Sequence, residues 1–228
     1  MHEMATEYVE RFFRANASKS GLGIADASAQ DVNGSLKSVV PEGNEYVGVD
    51  FIEGKGVDAV LTDPCRLPFE GNSIDVWVSS SCFEPSELFW VLYLEIMRVL
   101  KPGGLLYINA PPNGSFHQYP VDCWRFYPDS GLALRNWGRR KGHPNALLES
   151  FTGVQRKGFW NDFVAVLLKD EKFAGKFPSR IQDRSKEFSS GPVYGSDSNA
   201  SYQERPEDQR DNALWRTLRR VRTIFGWW

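Results

Sequence analysis

The sequence predicts an α/β fold whose sheet is mostly parallel. Three observations predict it. Short apolar runs recur along the first 170 residues and alternate with segments of helical period. A broad helical apolar face over 86–100 stops at Lys101-Pro102-Gly103-Gly104, and another apolar run follows at once. The last two apolar runs are joined only by 152–162, which leaves no room for a crossover helix. That pair is therefore antiparallel.

Taken in order, 3–15 reads as an amphipathic helix with Tyr8, Val9, Phe12 and Phe13 on one face. Gly21 and Gly23 open a short strand over 22–27, and 28–34 is a loop. Glu45–Asp50 is the second strand, carried by Tyr46, Val47 and Val49, and 58–61 is a short third. IDVWVS at 74–79 reads as a buried strand, bounded by Gly71, Asn72 and a serine cluster. The helix over 86–100 turns Leu88, Val91, Leu92, Leu94, Ile96, Val99 and Leu100 to the core. The strand after it is 105–110, Asp129–Arg140 has a helical pattern, and 147–151 and 163–169 are the closing strands. No internal repeat is visible. Helices on both faces of such a sheet make a Rossmann-like three-layer sandwich.

Residues 1–170 thus form one domain. Beyond it, 171–212 is rich in Ser, Pro and charged residues and poor in branched apolar ones, and reads as a flexible polar linker. Residues 213–228 (ALWRTLRRVRTIFGWW) read as a basic amphipathic helix, with Leu214, Leu218, Val221, Ile224 and Phe225 opposite Arg216, Arg219, Arg220 and Arg222. Trp215, Trp227 and Trp228 suit a membrane interface, so this segment either lies on an anionic membrane or docks on protein.

Composition narrows the class. The balance of 27 basic to 29 acidic residues gives a net charge of −2, which offers no electrostatic case for a nucleic-acid partner. Cys65, Cys82 and Cys123 form no CxxC pair, so neither a disulfide framework nor a metal site is expected. The N-terminal residues carry charges throughout and no apolar run approaches a membrane span. A cytoplasmic protein is expected, with peripheral contact at the inner membrane face through 213–228.

Ligands of open parallel sheets bind beyond the carboxyl ends of the strands. Asp26 ends the first strand and Asp50 the second. A carboxylate roughly 20 positions past the first turn suits ribose hydroxyls, because it accepts both hydrogen bonds. It also suits a simple turn cap. Asp63, in TDPCRLPF, can accept from an adenine amino group while Leu67 or Cys65 packs the ring, and it fits an ordinary turn as well. Ser79-Ser80-Ser81 follows the fourth strand, where cofactor and acceptor should meet.

At these residues the sequence resembles the class I S-adenosylmethionine-dependent methyltransferases, in the branch labelled type 11. The resemblance covers about 22–110 and is carried by VGVD (47–50), TDPCRLPFEGNSIDVWVSSSCFE (62–84) and EIMRVLKPGGLLYINAP (95–111). It implies S-adenosylmethionine as cofactor and a seven-stranded sheet with an antiparallel last strand. It places Asp26 near the amino-acid moiety, Asp50 on the ribose and Asp63 near adenine, with Ser28, Phe51, Pro64, Cys65 and Ser80 also at the cofactor. The family carries Gly-x-Gly after the first strand, whereas here the glycine expected near 28 is serine and Gly34 alone remains. The DVNGS segment (31–35) resembles methyltransferases of bacterial polysaccharide gene clusters.

The acceptor side is the long loop PPNGSFHQYPVDCWRFYP, 111–128. Tyr119 and Trp124 suit the C–H faces of a sugar, and Arg125 a phosphate or carboxylate. Trp124 and Tyr127 suit core packing equally. Methyl transfer to oxygen needs a base for the hydroxyl proton. His117 is the first candidate, and Glu84 and Asp122 are the alternatives. Pro85 stands where relatives carry histidine. The expected activity is O-methylation of a sugar or glycan intermediate. The alternative is a decayed methyltransferase-like scaffold in a polysaccharide assembly system. An NAD-dependent oxidoreductase lacks its GxGxxG, and an amino-group methyltransferase of nucleic acid lacks its Asn-Pro-Pro-aromatic motif.

Overall fold

The computed structural model describes residues 3–32, 34–63, 66–116, 118, 121–153, 160–184, 188–189 and 191–196. At the centre, β1 (Gly23–Ala27) runs parallel to β2 (Glu45–Asp50) on one side and β4 (Ile74–Ser80) on the other. The short β3 (Ala59–Val60) extends the sheet beyond β2. Beyond β4 lies β5 (Leu100–Ala110), also parallel. There β7 (Phe163–Leu168) runs antiparallel between β5 and β6 (Ala146–Gly153). A two-residue β8 (Phe188–Ser189) closes that edge, giving the order β3-β2-β1-β4-β5-β7-β6-β8. The seven expected strands and the reversed last one are all present. The eighth was not foreseen.

Alternation along the strands divides the core into two layers. Ile24, Val76, Val78, Leu105, Tyr107, Val164 and Val166 share one face with α1 (Glu3–Asn16). Its Tyr8, Val9, Phe12 and Phe13 are buried as the pattern required, and the Phe12 ring lies 5.0 Å from that of Tyr107. Ala25, Val49, Trp77, Leu106, Ile108, Ala165 and Leu167 face the other way. They pack with Leu92, Tyr93, Ile96 and Met97 of α2 (Phe89–Val99) and with Leu134 of α3 (Asp129–Arg140). Each buried valine, leucine, isoleucine, phenylalanine or methionine among them contributes about 2 kcal/mol.

The Lys101–Gly104 segment has a specific use. Pairing jumps from Ile74↔Leu100 to Val76↔Leu105, so these residues bulge out of β5 where α2 ends. Lys101 closes the bulge on Asp75 at 2.7 Å. A Cβ at Gly104 would stand 2.9 Å from the Lys101 carbonyl oxygen and 3.0 Å from that of Asp75, so no side chain fits without a shift. Lys169 donates to the Arg98 and Leu100 carbonyls at the C-terminal end of α2, where the helix dipole favours a cation.

Two expectations need correcting. The helix expected from residue 86 starts at Phe89, which leaves 81–88 as irregular chain at the end of β4. Residues 171–184, 188–189 and 191–196, expected as linker, pack on the domain. Ala174 and Ile181 enter the α1-side core, and the buried Glu149 carboxylate of β6 accepts from the backbone N–H of Ile181 at 2.8 Å and of Gln182 at 3.2 Å. Arg180 donates through Nε to the Leu148 carbonyl at 3.1 Å. Residues 213–228 lie outside the described part. No helix of the described residues is long and apolar enough to cross a membrane.

Candidate active site

A cleft of about 740 Å³ opens at the carboxyl ends of β1, β2 and β4, where an open parallel sheet receives its ligand. Asp26, Ser28, Asp50, Phe51 and Ser80 of the expected cofactor set line it.

Asp26 sits near the end of β1 with 2% of its surface exposed. The Tyr46 hydroxyl donates to its Oδ2 at 2.6 Å, while Oδ1 is buried with no hydrogen-bond partner. Desolvation pushes this carboxyl up to about 7. The Tyr46 bond works against the shift, and the charge of Asp50 adds to it. A cation entering the cleft would favour the ionised form of this carboxyl, its proton leaving to solvent.

Asp50 ends β2. Its Oδ1 accepts from the backbone N–H of Phe51 at 2.7 Å and its Oδ2 from that of Gln30 at 3.1 Å. It therefore ties the 28–36 loop to the strand end. An ionised carboxylate has about four lone-pair sites, so acceptor capacity remains.

Ser28 has φ +64° and Ser81 φ +55°, both in the left-handed region that favours glycine. Each costs about 1 kcal/mol, and the two stand on the wall of one cleft. Ser28 thus occupies the backbone state for which glycine is the usual choice. The loop closes with serine, at the cost of that strain. Cys82 lines the same cleft, beside the hydroxyls of Ser28 and Ser79. Burial pushes its thiol up to about 12, which makes it packing rather than a nucleophile.

The remaining expected residues lie elsewhere. Asp63 is exposed and does not line the cleft. Arg125 grips Asp122 through both nitrogens, at 2.5 and 2.7 Å, and donates to the Ser115 carbonyl at 3.3 Å. A guanidinium and a carboxylate so engaged hold the loop in shape. Trp124 donates from Nε1 to the Ser86 carbonyl at 2.9 Å and packs edge-on against Phe89 and Trp90. It keeps 38% of its surface exposed. Glu84 is buried, its Oε2 has no partner, and desolvation pushes its carboxyl up to about 7. Its backbone carbonyl accepts from Cys123 and Trp124, so it braces the same loop from below. Pro64, Cys65, His117 and Tyr119 lie outside the described residues.

Ser81, of the serine run expected to meet the ligand, also lines the cleft, and so do residues not expected from sequence, among them Gln30, Val32, Ile52, Leu88 and Val121. Position alone could have found the 81–88 group, since it follows β4 directly.

Residues 11–108 match the family model described as a methyltransferase domain. A protein of Arabidopsis thaliana named as a probable methyltransferase is 33% identical over 98 residues, which are 41% of this chain and 16% of that one. A second Arabidopsis thaliana protein, named as a probable pectin methyltransferase, is 33% identical over 78 residues, 33% of this chain and 13% of that one. The chain thus matches well under a fifth of the length of these relatives. Among solved structures, the 1,6-didemethyltoxoflavin-N1-methyltransferase of Burkholderia thailandensis, with bound 1,6-didemethyltoxoflavin and S-adenosylhomocysteine, has a TM-score of 0.59 at 15% identity. It covers 74% of this chain and 80% of its own, a likeness of fold. Residues 11–108 are thus similar to a methyltransferase domain, and the described chain has the fold of that solved methyltransferase.

Proposed function

We propose that the chain methylates a hydroxyl oxygen of a sugar or glycan intermediate, with S-adenosylmethionine as donor. The observation that carries the donor half is Asp26: a buried carboxylate with one unpartnered oxygen, in one strand-end cleft with Asp50 and Phe51. In this reading Asp26 receives the ammonium of the amino-acid moiety. Asp50 uses its spare lone pairs on the ribose hydroxyls, and the half-exposed Phe51 ring covers adenine. When bound, the cofactor supplies a methyl group, whose bond to sulfur breaks as its bond to oxygen forms, leaving the sulfur electron pair on a thioether. The chain positions the acceptor and takes the hydroxyl proton, a task assigned to His117 of the 111–128 loop. Likeness to a protein named as a probable pectin methyltransferase supports a carbohydrate acceptor.

Calorimetry of the full chain with S-adenosylhomocysteine tests the donor half. Saturable binding is expected, and Asp50→Ala weakens it by roughly 100-fold, equivalent to about 3 kcal/mol. Silence of the parent at millimolar ligand rejects the reading. Labelled S-adenosylmethionine with a panel of glycans tests the acceptor half: label recovered on an amine rather than an ether oxygen overturns it.

A further inference from the structure

Strand alternation puts Asp26 of β1 on one face of the sheet with Tyr46 and Gly48 of β2. Gly48 stands directly across from Asp26 and brings no side chain. The carboxylate therefore meets Tyr46, two residues earlier on β2. Tyr46 stands across from Ile24, packs on the α1-side core, and reaches Asp26 Oδ2 with its hydroxyl at 2.6 Å. Asp26 lines the cleft and Tyr46 does not. A phenol has one proton to donate. It engages one carboxylate oxygen from outside the cleft and leaves Oδ1, buried and without a partner, for a ligand. Burial first, and then the charge of Asp26, raises the Tyr46 phenol above its usual range, so it gives a hydrogen bond and keeps its proton. The other charged or titratable groups that bear on this pair are Asp50 at the end of β2, Cys82 after β4, Asp58, and Lys37, whose Nζ stands 5.6 Å from the Tyr46 ring centroid. Among the described residues only Tyr46 donates to the Asp26 carboxylate. A hydrogen bond to an ionised acceptor is stronger than one to a neutral acceptor, so this one favours the carboxylate over the acid.

We propose that Tyr46 is a positioning residue for the cofactor: its hydroxyl fixes the rotation of the Asp26 carboxylate, leaves Oδ1 as the oxygen offered to the ligand, and stabilises the negative charge that an ammonium-bearing ligand requires. Tyr46 acts only through Asp26. The inference rests on the proposed role of Asp26 toward the amino-acid moiety.

The test is calorimetry of the full chain, as parent and as Tyr46→Phe, with S-adenosylhomocysteine at pH 6 and at pH 8.5. Phenylalanine keeps the ring and its packing and removes only the donor. The acid limb of the affinity profile should move up by about one pH unit, so that the variant binds about tenfold more weakly than the parent at pH 6 and within about twofold of it at pH 8.5. The second probe is 5′-methylthioadenosine, which keeps the adenosine and the thioether and lacks the amino acid. Its affinity should be the same for parent and variant at each pH, and its binding shows that the variant is folded. An equal loss at both pH values, an equal loss for both ligands, or no loss at all overturns the proposal. If Asp26→Asn weakens S-adenosylhomocysteine binding and Tyr46→Phe does not, Tyr46 is packing alone and the proposed function stands. A parent that binds neither ligand rejects the proposed function, and this inference with it.

Discussion

Asp26 on β1 and Glu149 on β6 are buried acids in one sheet, and burial pushes each carboxyl up to about 7. Their surroundings differ. Both Glu149 oxygens accept backbone N–H groups from Ile181 and Gln182, whereas Asp26 accepts one tyrosine hydroxyl and keeps its other oxygen unpartnered on a cleft wall. The same shift therefore has two meanings. Glu149 is a clasp that fastens the chain after β7, and Asp26, in the proposed function, is a receptor whose last partner comes from solution. A perturbed acidity marks a functional group only once its hydrogen bonds have been counted.

The contrast can be broken by experiment. The largest effect is expected at Glu149. Glu149→Ala leaves two buried N–H groups without acceptors and should cost about 3 kcal/mol, roughly 10 °C in Tm. Calorimetry on the cold, still folded variant should show S-adenosylhomocysteine affinity like that of the parent. Asp26→Asn should do the reverse: affinity falls roughly 30-fold, about 2 kcal/mol, while Tm at pH 8 holds or rises. If both variants lose stability alone, Asp26 is no receptor.

Acidity sharpens the comparison further. Between about pH 4 and 7 the folded chain holds protons on Asp26, Glu84 and Glu149 that the unfolded chain has released. Stability therefore falls as pH rises through that window, by at most about 1.4 kcal/mol per pH unit for each acid, and Tm should be higher at pH 5.5 than at pH 8. Affinity for the ammonium-bearing ligand runs the opposite way. It should fall by up to about tenfold per unit below pH 7 in the parent and stay flat in Asp26→Asn. The smallest effect is at Ser28. Ser28→Gly relieves its left-handed backbone and should stabilise the chain by up to about 1 kcal/mol, read as a small rise in Tm. A fall would mean that the serine side chain contributes more than its backbone costs.

Features with an apolar period were legible in the sequence. Glu45–Asp50 and Asp129–Arg140 have their expected ends, and Tyr8, Val9, Phe12 and Phe13 face the core. What escaped was written in polar contacts. Nothing in the 171–196 composition announces that two of its amides meet Glu149. The start of α2 slid to Phe89, where Leu88 stands at the N-cap without a side-chain cap. At the site, strand-end carboxylates were found from spacing. The direction in which Trp124 and Arg125 point depends on Ser86 and Asp122 as partners, which composition does not encode.

Fastening the segment after β7 also has a colloidal consequence. The sheet ends on both sides in dipeptide strands, Ala59–Val60 and Phe188–Ser189, too short to recruit a strand from another molecule. Behind the second lies β6, eight residues beginning Ala-Leu-Leu. Loosening the Glu149 clasp would bare that ribbon while the rest of the sheet stayed intact. The first symptom of its failure would then be turbidity on storage, appearing before any loss of helix signal.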